Sequence, residues 1–302
     1  MIEKGQLEGK LLKNKRHIRK KDLAFDIVLY VIMALILFCF IAPIWLLFTA
    51  SLSDNISLTL NGYSMWFQGF SFEGYKYLFE ASDVFLHSIL VSVEVSVGAA
   101  LISLVITALA GYALSKPYLP FRKFFNFLFA IPMFFSGGAI PLYLVIRGIG
   151  LYNSVWALIL PMVFSGYNLI LMRKYFTGID LALEEAASID GAGHFKIFTT
   201  VYLPLSVPIC ISVAFMVFVT RWNGWVDNLM YVTAGNEDLW TLQYVLRQIM
   251  TDVKSFTAND DTAPILVIKN AAVMASVIPV IIVSPFIQKF FTNGITAGAV
   301  KG

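Results

Sequence analysis

Long apolar stretches recur along this chain, and they constrain its fold more than any other feature. A helix needs about 20 residues to cross the roughly 30 Å hydrocarbon core of a bilayer. Apolar residues make up 58% of the 302 residues, more than a water-soluble domain of this length needs for its core. The bilayer is therefore the main solvent of the chain. Six stretches are long enough to span it, roughly 25–49, 84–111, 123–146, 154–176, 205–223 and 268–291.

These stretches favour helices over barrel strands because each apolar run is continuous. A transmembrane strand would alternate inward and outward side chains over about ten residues. We therefore predict an all-α integral membrane protein with six transmembrane helices in one domain, residues 23–294. A basic tail, residues 1–22, and a C-terminal tail, residues 295–302, would flank it. Prolines within the stretches predict kinked helices, and they are Pro43, Pro132, Pro141, Pro161, Pro208 and Pro279.

The basic residues predict which side of the membrane each connection faces. Sixteen of the 22 Lys and Arg residues lie before the first stretch, in or within a few residues of the second-to-third and fourth-to-fifth connections, or near the end of the chain. By the positive-inside rule that side is the cytoplasm, so both termini face inward. The net charge of +3 reflects this sidedness and indicates no nucleic-acid binding. The sixteen are Lys4, Lys10, Lys13, Lys15, Arg16, Arg19, Lys20, Lys21, Lys116, Arg122, Lys123, Arg173, Lys174, Lys196, Lys289 and Lys301.

A short polar segment, EEAASIDGAGHFKIFTTVYLP at residues 184–204, separates the fourth stretch from the fifth. It places charged and polar side chains beside small residues that permit close backbone approach. Phe195, Phe198 and Tyr202 follow at helical spacing and form an apolar stripe that needs a partner surface. From the residues alone, an interfacial connecting helix is the favoured interpretation of the segment, ahead of a docking site.

The order of residues in this segment resembles the EAA signature of ABC importer permeases. Glu185-Ala186-Ala187, Gly191 and Leu203-Pro204 stand at the spacing of that motif, and Val201 replaces its usual Ile. In that family the segment is a coupling helix that docks into the ATP-hydrolysing subunit; here it would cover about residues 180–203, the coupling segment. The resemblance implies that Glu184, Glu185 and Asp190 offer acceptors to the ATPase, and that glycines permit a tight turn. The implied coupling residues are Glu184, Glu185, Ala186, Ala187, Asp190, Gly191, Gly193, Leu203 and Pro204.

Further matches extend the resemblance over most of the chain, toward maltose-type carbohydrate permeases. They are residues 70–92, TALAGYALSK at 107–116, RWNGWVD at 221–227 and ITAGAVKG at 295–302. In character the chain is nearest to permeases for oligosaccharides and aldouronate-like glycans. The resemblance implies a type I importer fold in a bacterial cytoplasmic membrane. It also implies that the chain end contacts the ATPase, although chain ends often simply fray; the residues concerned are Gly298, Ala299, Val300, Lys301 and Gly302.

The same resemblance implies the partners. They are a second homologous permease subunit, two ATPase subunits that bind ATP and Mg, an extracytoplasmic solute-binding protein, a sugar substrate and membrane lipid. The chain has no GxxxxGK[ST] loop and no metal-binding or catalytic motif, so we expect a non-catalytic permease subunit without its own cofactor or metal. The alternative is a stand-alone secondary sugar transporter, which would need mid-membrane coupling-ion residues and an internal repeat. Neither is visible in the sequence.

Polar residues inside or beside the apolar stretches are the candidates for a substrate path, because burying them costs free energy. Glu94 either accepts hydrogen bonds from sugar hydroxyls or bonds a neighbouring helix or partner subunit as a protonated carboxyl. Trp222, Asn223 and Asp227 combine the groups used for sugar recognition, but an aromatic belt explains the tryptophan almost as well. Tyr167 and Asn168 complete the set, and a helix–helix hydrogen bond also explains Asn168.

Overall fold

The computed structural model describes residues 20–80, 83–252, 257 and 263–299. This part of the chain is mostly helical and contains no strand, which confirms the predicted all-α fold. The basic tail before Lys20 and residues 300–302 lie outside the described residues. The helices are α1 (Lys20–Ser51), α2 (Asn55–Asn61), α3 (Glu73–Glu80), α4 (Asp83–Ser115), α5 (Arg122–Phe134), α6 (Ala139–Gly148), α7 (Val155–Ile159), α8 (Gly166–Thr177), α9 (Leu181–Ile189), α10 (His194–Leu205), α11 (Val207–Trp222), α12 (Val226–Tyr231), α13 (Leu242–Thr251) and α14 (Ile265–Ala299).

Three of these helices are long and apolar enough to cross a membrane without a break, namely Phe25–Ser51, Asp83–Ser115 and Ile265–Pro285. Three further pairs of helices pass the same test together but are bent at a short break. The bends are 114° between α5 and α6, 54° between α7 and α8, and 81° between α10 and α11. By length and composition the described chain thus has three candidate spans, or up to six if each bent pair is one span, and each predicted stretch coincides with one of them.

Each break follows or adjoins a proline, which cannot donate a backbone hydrogen bond. α5 contains Pro132 and ends two residues later, and Pro161 lies in the last turn before the break between α7 and α8. Gly138, with φ +83°, then starts α6 from a conformation that favours glycine. By contrast, Pro43 and Pro279 lie inside continuous helices, so a proline alone did not identify the broken spans.

Helix α4 is the centre of the bundle and packs mainly against α8 and α11. Small residues allow the close approach: a Cβ added to Gly111 would lie 3.0 Å from Cγ of Met172 on α8. Around the carboxyl end of α4, buried side chains form an inner cluster, which positions the coupling segment. It consists of Ala108, Tyr112, Met172, Phe176, Ile197, Phe198, Tyr202, Ile209, Cys210 and Val213.

Helix α1 differs from the rest of the bundle. None of the residues in its most apolar window is buried against the described chain. Only its last turn is enclosed, where Thr49 and Ser51 are buried and Ala50 packs with Leu58 and Val267. The first predicted span therefore offers nearly all of its apolar surface to lipid or to another subunit.

Candidate functional site

The coupling segment begins with a helix whose end is fixed by glycine. After α9, Gly191 adopts φ +81°, and its N–H donates to the carbonyl oxygen of Ser188 at 3.0 Å. The N–H of Ala192 donates to the carbonyl of Ala187, also at 3.0 Å. These two bonds form a Schellman motif, in which the glycine satisfies the left-handed position and the chain turns sharply. The predicted tight turn is therefore present at Gly191, whereas Gly193 caps α10 with an ordinary negative φ.

Glu184 is the best-anchored residue of the segment. Only 6% of it is exposed, and both carboxylate oxygens accept hydrogen bonds. Lys116 Nζ donates to Oε2 at 2.5 Å, the Tyr202 hydroxyl donates to the same oxygen at 2.8 Å, and the Tyr118 hydroxyl donates to Oε1 at 2.8 Å. Such a buried ion pair is stable only when its remaining hydrogen-bonding capacity is met in this way.

The electrostatics of this cluster favour the charged form of the acid. Burial alone would raise the pKa of Glu184, but hydrogen bonds from Lys116, Tyr202 and Tyr118 and the ammonium charge together hold that pKa below its ordinary value. The Lys116 ammonium also lies 3.7 Å from the ring centroid of Tyr202 and 4.2 Å from that of Tyr112. Because Lys116 directly follows α4, this cluster ties the coupling segment to the central helix of the bundle.

This geometry corrects one expectation about the acidic residues. The carboxylate of Glu184 cannot serve as a free acceptor for a partner, because it faces inward and three donors of its own chain already hold it. Glu185 and Asp190 are exposed, as are Ala186 and Gly191. Two large apolar side chains of the segment are strongly exposed as well: Ile189 is 87% exposed and Phe195 is 73% exposed. The outer face of the segment therefore presents apolar side chains beside acidic ones.

The predicted aromatic stripe divides between the two faces of the segment. Phe198 and Tyr202 are buried in the inner cluster, where they meet Tyr112 at ring-centroid distances of 5.1 and 4.9 Å. Only Phe195 of the three stays exposed. The partner surface that the stripe needed is thus supplied mostly by the chain itself.

The end of the segment is a bent helix. Within α10 the backbone has a π-helical turn at Phe198–Tyr202, followed by Leu203 and Pro204. The helix then bends by 81° at Ser206 into α11. Leu203-Pro204 therefore lies at the corner where the coupling segment passes into a membrane span, which is where a motion of the segment would enter the bundle.

The predicted substrate-path residues do not form one site. Glu94 is exposed on α4, and Asn223 donates its side-chain N–H to the Val219 carbonyl at 2.9 Å. Trp222 is only 1% exposed, and its indole N–H donates to the Ser276 carbonyl at 3.1 Å. Sugar contact and an aromatic belt are both wrong for Trp222, because its ring is packed in the core against Phe218.

Tyr167 and Asn168, in contrast, line a cavity of about 530 Å³. The cavity lies beside the break between α7 and α8 and reaches the last two turns of α11. Irregular backbone at membrane depth is expected where it lines such a cavity. Among the described residues, no group of three or more His, Cys, Asp or Glu side chains could hold a metal ion.

Arg221, which was not among the predicted site residues, also lines this cavity. It is 5% exposed, and its Nη1 donates to Oδ2 of Asp227. Sequence reasoning missed Arg221, although the cost of burying a charge, which singled out Glu94, applies equally to an arginine in the last turn of a predicted span. Lys116 and Tyr118 were missed because their partner Glu184 is more than sixty residues away in sequence.

Comparison with known sequences places these features in a family. A family model described as "Binding-protein-dependent transport system inner membrane component" matches residues 103–297. The chain is 34% identical to the polygalacturonan/rhamnogalacturonan transport system permease protein YtcP of Bacillus subtilis (strain 168), over 93% of this chain and all of the relative. It is 33% identical to protein LplC of the same organism, over 87% of this chain and 90% of the relative.

A solved structure agrees with the sequence relatives. The chain superposes with a TM-score of 0.83 and 30% identity on a chain from a bacterial ABC transporter involved in the import of the acidic polysaccharide alginate. The match covers 90% of this chain and 98% of that chain. The bent helix pairs and the coupling segment both lie within the region of the family match.

Proposed function

The chain belongs to the family of binding-protein-dependent transport system inner membrane components, and on this basis we propose that it is one permease subunit of an ATP-driven importer for oligosaccharides or uronate-containing glycans. The substrate class is supported by the relative named for polygalacturonan and rhamnogalacturonan transport and by the structural neighbour that imports alginate. A member of this family is not itself a catalyst. ATP hydrolysis, with its Mg, is assigned to partner subunits.

The proposed assembly contains a second, homologous permease, two cytoplasmic ATPase subunits and an extracytoplasmic solute-binding protein. Both termini of this chain would face the cytoplasm of a bacterial cell, as the distribution of basic residues suggests. The exposed apolar surface of α1 is available to such a membrane subunit or to lipid. Contact of residues 298–302 with an ATPase rests on the resemblance of the chain end alone.

The observation that supports coupling most strongly is the contrast between the two faces of α9. Its inner face is held to α4 through Glu184 and Lys116, and its outer face leaves Ile189 exposed. A segment that is fixed to the bundle on one side and open on the other can transmit a push from a docked protein. The Schellman turn at Gly191 keeps α9 and α10 at a defined angle while it does so.

The proposed mechanism is alternating access. ATP closes the two ATPase subunits, and the coupling segment carries that motion through the corner at Leu203-Pro204 into α11. The path then opens outward, receives sugar from the binding protein, and resets after hydrolysis. Ligand and nucleotide shift the equilibrium between inward-open and outward-open states because each binds one state more tightly than the other.

The test substitutes an exposed residue of α9 and leaves the buried pair of Glu184 and Lys116 unchanged. Ile189→Asp places a charge in an apolar contact and should abolish co-purification of the ATPase subunits and ATP-dependent sugar uptake in proteoliposomes. Leu60→Asp alters an equally exposed residue on α2, outside the coupling segment, and should change neither. Retention of both ATPase subunits and normal uptake in the Ile189→Asp transporter would refute the coupling assignment.

Proteoliposomes also distinguish this proposal from the alternative of a stand-alone secondary transporter. A stand-alone secondary transporter would take up sugar in proteoliposomes that contain only this chain and an ion gradient. We expect no uptake there, and we expect uptake once the second permease, the ATPase pair, the binding protein and ATP are all present. A bulky residue at Gly191 should also uncouple ATP hydrolysis from uptake while leaving membrane insertion unchanged.

A further inference from the structure

The cavity beside the break between α7 and α8 has a positive charge in its wall. Arg221 is the only charged residue among the described residues that line it, and the remaining lining is apolar or neutral. Its charge is balanced by Asp227, which lies outside the lining and binds Nη1. The cavity volume of about 530 Å³ falls within the range of small-molecule sites.

The arginine is only partly used by its own chain. Nε and Nη2 are buried, and neither has a hydrogen-bond partner. These two nitrogens point their N–H bonds from the same edge of the guanidinium, and this fork matches the two oxygens of a carboxylate. Buried donors are normally satisfied, so two unpartnered donors on a residue that lines a cavity indicate a group that is supplied from outside the chain.

A second feature of the same wall favours negative charge. The first residues of α8, from Gly166 to Asn168, line the cavity, and the preceding Ser165 accepts a hydrogen bond from the Asn168 N–H at 3.4 Å. The amino-terminal end of a helix carries a partial positive charge. Arg221, with its two unpartnered nitrogens, and the end of α8 thus line the same cavity, and both attract an anion.

We propose that Arg221 forms a carboxylate subsite in the translocation path and binds a uronate group of the passing glycan through Nε and Nη2. Asp227 holds the guanidinium in place through Nη1, so Arg221 contacts substrate and Asp227 positions it. This inference rests on the proposed import of glycans; of the two substrate classes proposed above it selects the acidic one, and it assigns the residue that binds the carboxylate. It gives the path a preference for charged sugars that is separate from the selectivity of the binding protein.

The test uses the complete transporter in proteoliposomes and two substrates, an oligogalacturonate and its methyl ester, which has the same chain without the charge. The double variant Arg221→Gln/Asp227→Asn removes the fork and leaves no unpaired carboxylate. Uptake of the acid should fall by about tenfold to a hundredfold, the effect of losing hydrogen bonds to a charged group. Uptake of the ester should change less than about twofold, since the ester makes no charge-assisted bonds to the fork. Each rate is divided by the wild-type rate for the same substrate.

Two additions keep the result decisive. Arg221→Lys keeps the positive charge but loses the paired N–H donors, and it replaces the double variant if that variant does not assemble. It should lower uptake of the acid severalfold and leave uptake of the ester unchanged. Binding of both sugars to the wild-type and variant transporters, purified without the binding protein, gives a measurement independent of delivery. Arg247→Gln changes a cation that lies outside the cavity, over the ring of Trp225, and should alter neither sugar.

The outcomes separate the two proposals. An unchanged acid uptake, or equal losses for acid and ester, would show that Arg221 has a structural role or pairs with another subunit. A wild-type transporter that imports neutral oligosaccharides but neither binds nor imports the acid would overturn the subsite and leave glycan import standing. Failure of the wild-type assembly to import any oligosaccharide would overturn both.

Discussion

Two buried ion pairs lie at different ends of this bundle, and they are built in opposite ways. In the Lys116–Glu184 pair, both carboxylate oxygens are occupied and the ammonium lies against two aromatic rings. In the Arg221–Asp227 pair, one guanidinium nitrogen is bound and two have no partner. The carboxylate of the first pair is fully hydrogen-bonded within the chain, whereas the guanidinium of the second pair keeps two donors without a partner.

The difference teaches how to tell a structural pair from a binding one. A buried charge that is fully satisfied fixes geometry, which suits the junction between the coupling segment and α4. A buried charge that is half satisfied keeps an energetic cost that only an added group can remove.

Removal of Lys116 should destabilise the protein most. Lys116→Met leaves the Glu184 carboxylate buried without a counter-charge, which costs about 3–5 kcal/mol in known cases. We expect a large fall in the thermal unfolding temperature of the detergent-solubilised protein. Lys76→Met breaks the exposed pair with Glu80, at 4.0 Å, and is the control; it should produce no measurable change. Equal effects of the two variants would show that the buried pair is not special.

Removal of Arg221 should cost much less. Arg221→Gln loses one charge-assisted bond and two nitrogens that had no partner, while Asp227, 26% exposed at its side chain, regains contact with water. We expect about 1–2 kcal/mol, measured by the same unfolding assay. A loss as large as that of Lys116→Met would mean that the free edge of Arg221 is structurally essential, which contradicts the distinction between the two pairs.

The turn after α9 should respond to backbone strain alone. A Cβ on Gly191 would meet no atom within 4 Å, so Gly191→Ala is disfavoured only by the positive φ, at about 1 kcal/mol. Gly193→Ala is the matched control, since Gly193 has equally open space and a φ of −73°. Unfolding measurements should separate the two variants, and equal stability would remove the conformational argument for glycine at the turn.

The smallest effect is expected from pH near neutrality. Because the pKa of folded Glu184 lies below its ordinary value of 4.5, the stabilisation from this carboxylate is complete above that pH and is lost as pH falls through the folded-state pKa. The difference in unfolding temperature between wild type and Glu184→Gln should therefore stay constant from about pH 5.5 to 8 and shrink at lower pH. A difference that still increases between about pH 5.5 and 8 would indicate a raised pKa instead.

Much of the fold followed from the sequence, because apolar length is a local property. Each predicted stretch coincides with an unbroken or a bent span. Which spans break was harder to predict: Pro132 and Pro161 lie beside breaks, but Pro43 lies inside a continuous helix. A proline removes one donor, and whether the helix continues then depends on neighbouring helices, which sequence periodicity does not contain.

The sites were less predictable because their partners are distant in sequence. The motif marked Glu184 as part of the coupling segment, but its burial depends on Lys116, 68 residues earlier. Trp222 looked like an interfacial or sugar-binding ring and is instead packed in the core. Arg221 and Trp222 are adjacent, and the helix points one into a cavity wall and the other into the core; composition alone cannot assign those directions.

The lack of buried residues along most of α1 bears on how this helix inserts into the membrane. Since most of α1 gains no burial from the remainder of the described chain, its insertion is decided by its own hydropathy before the other helices are present. Its last turn, which packs against α2 and α14, is then the part of α1 that the finished bundle holds in place.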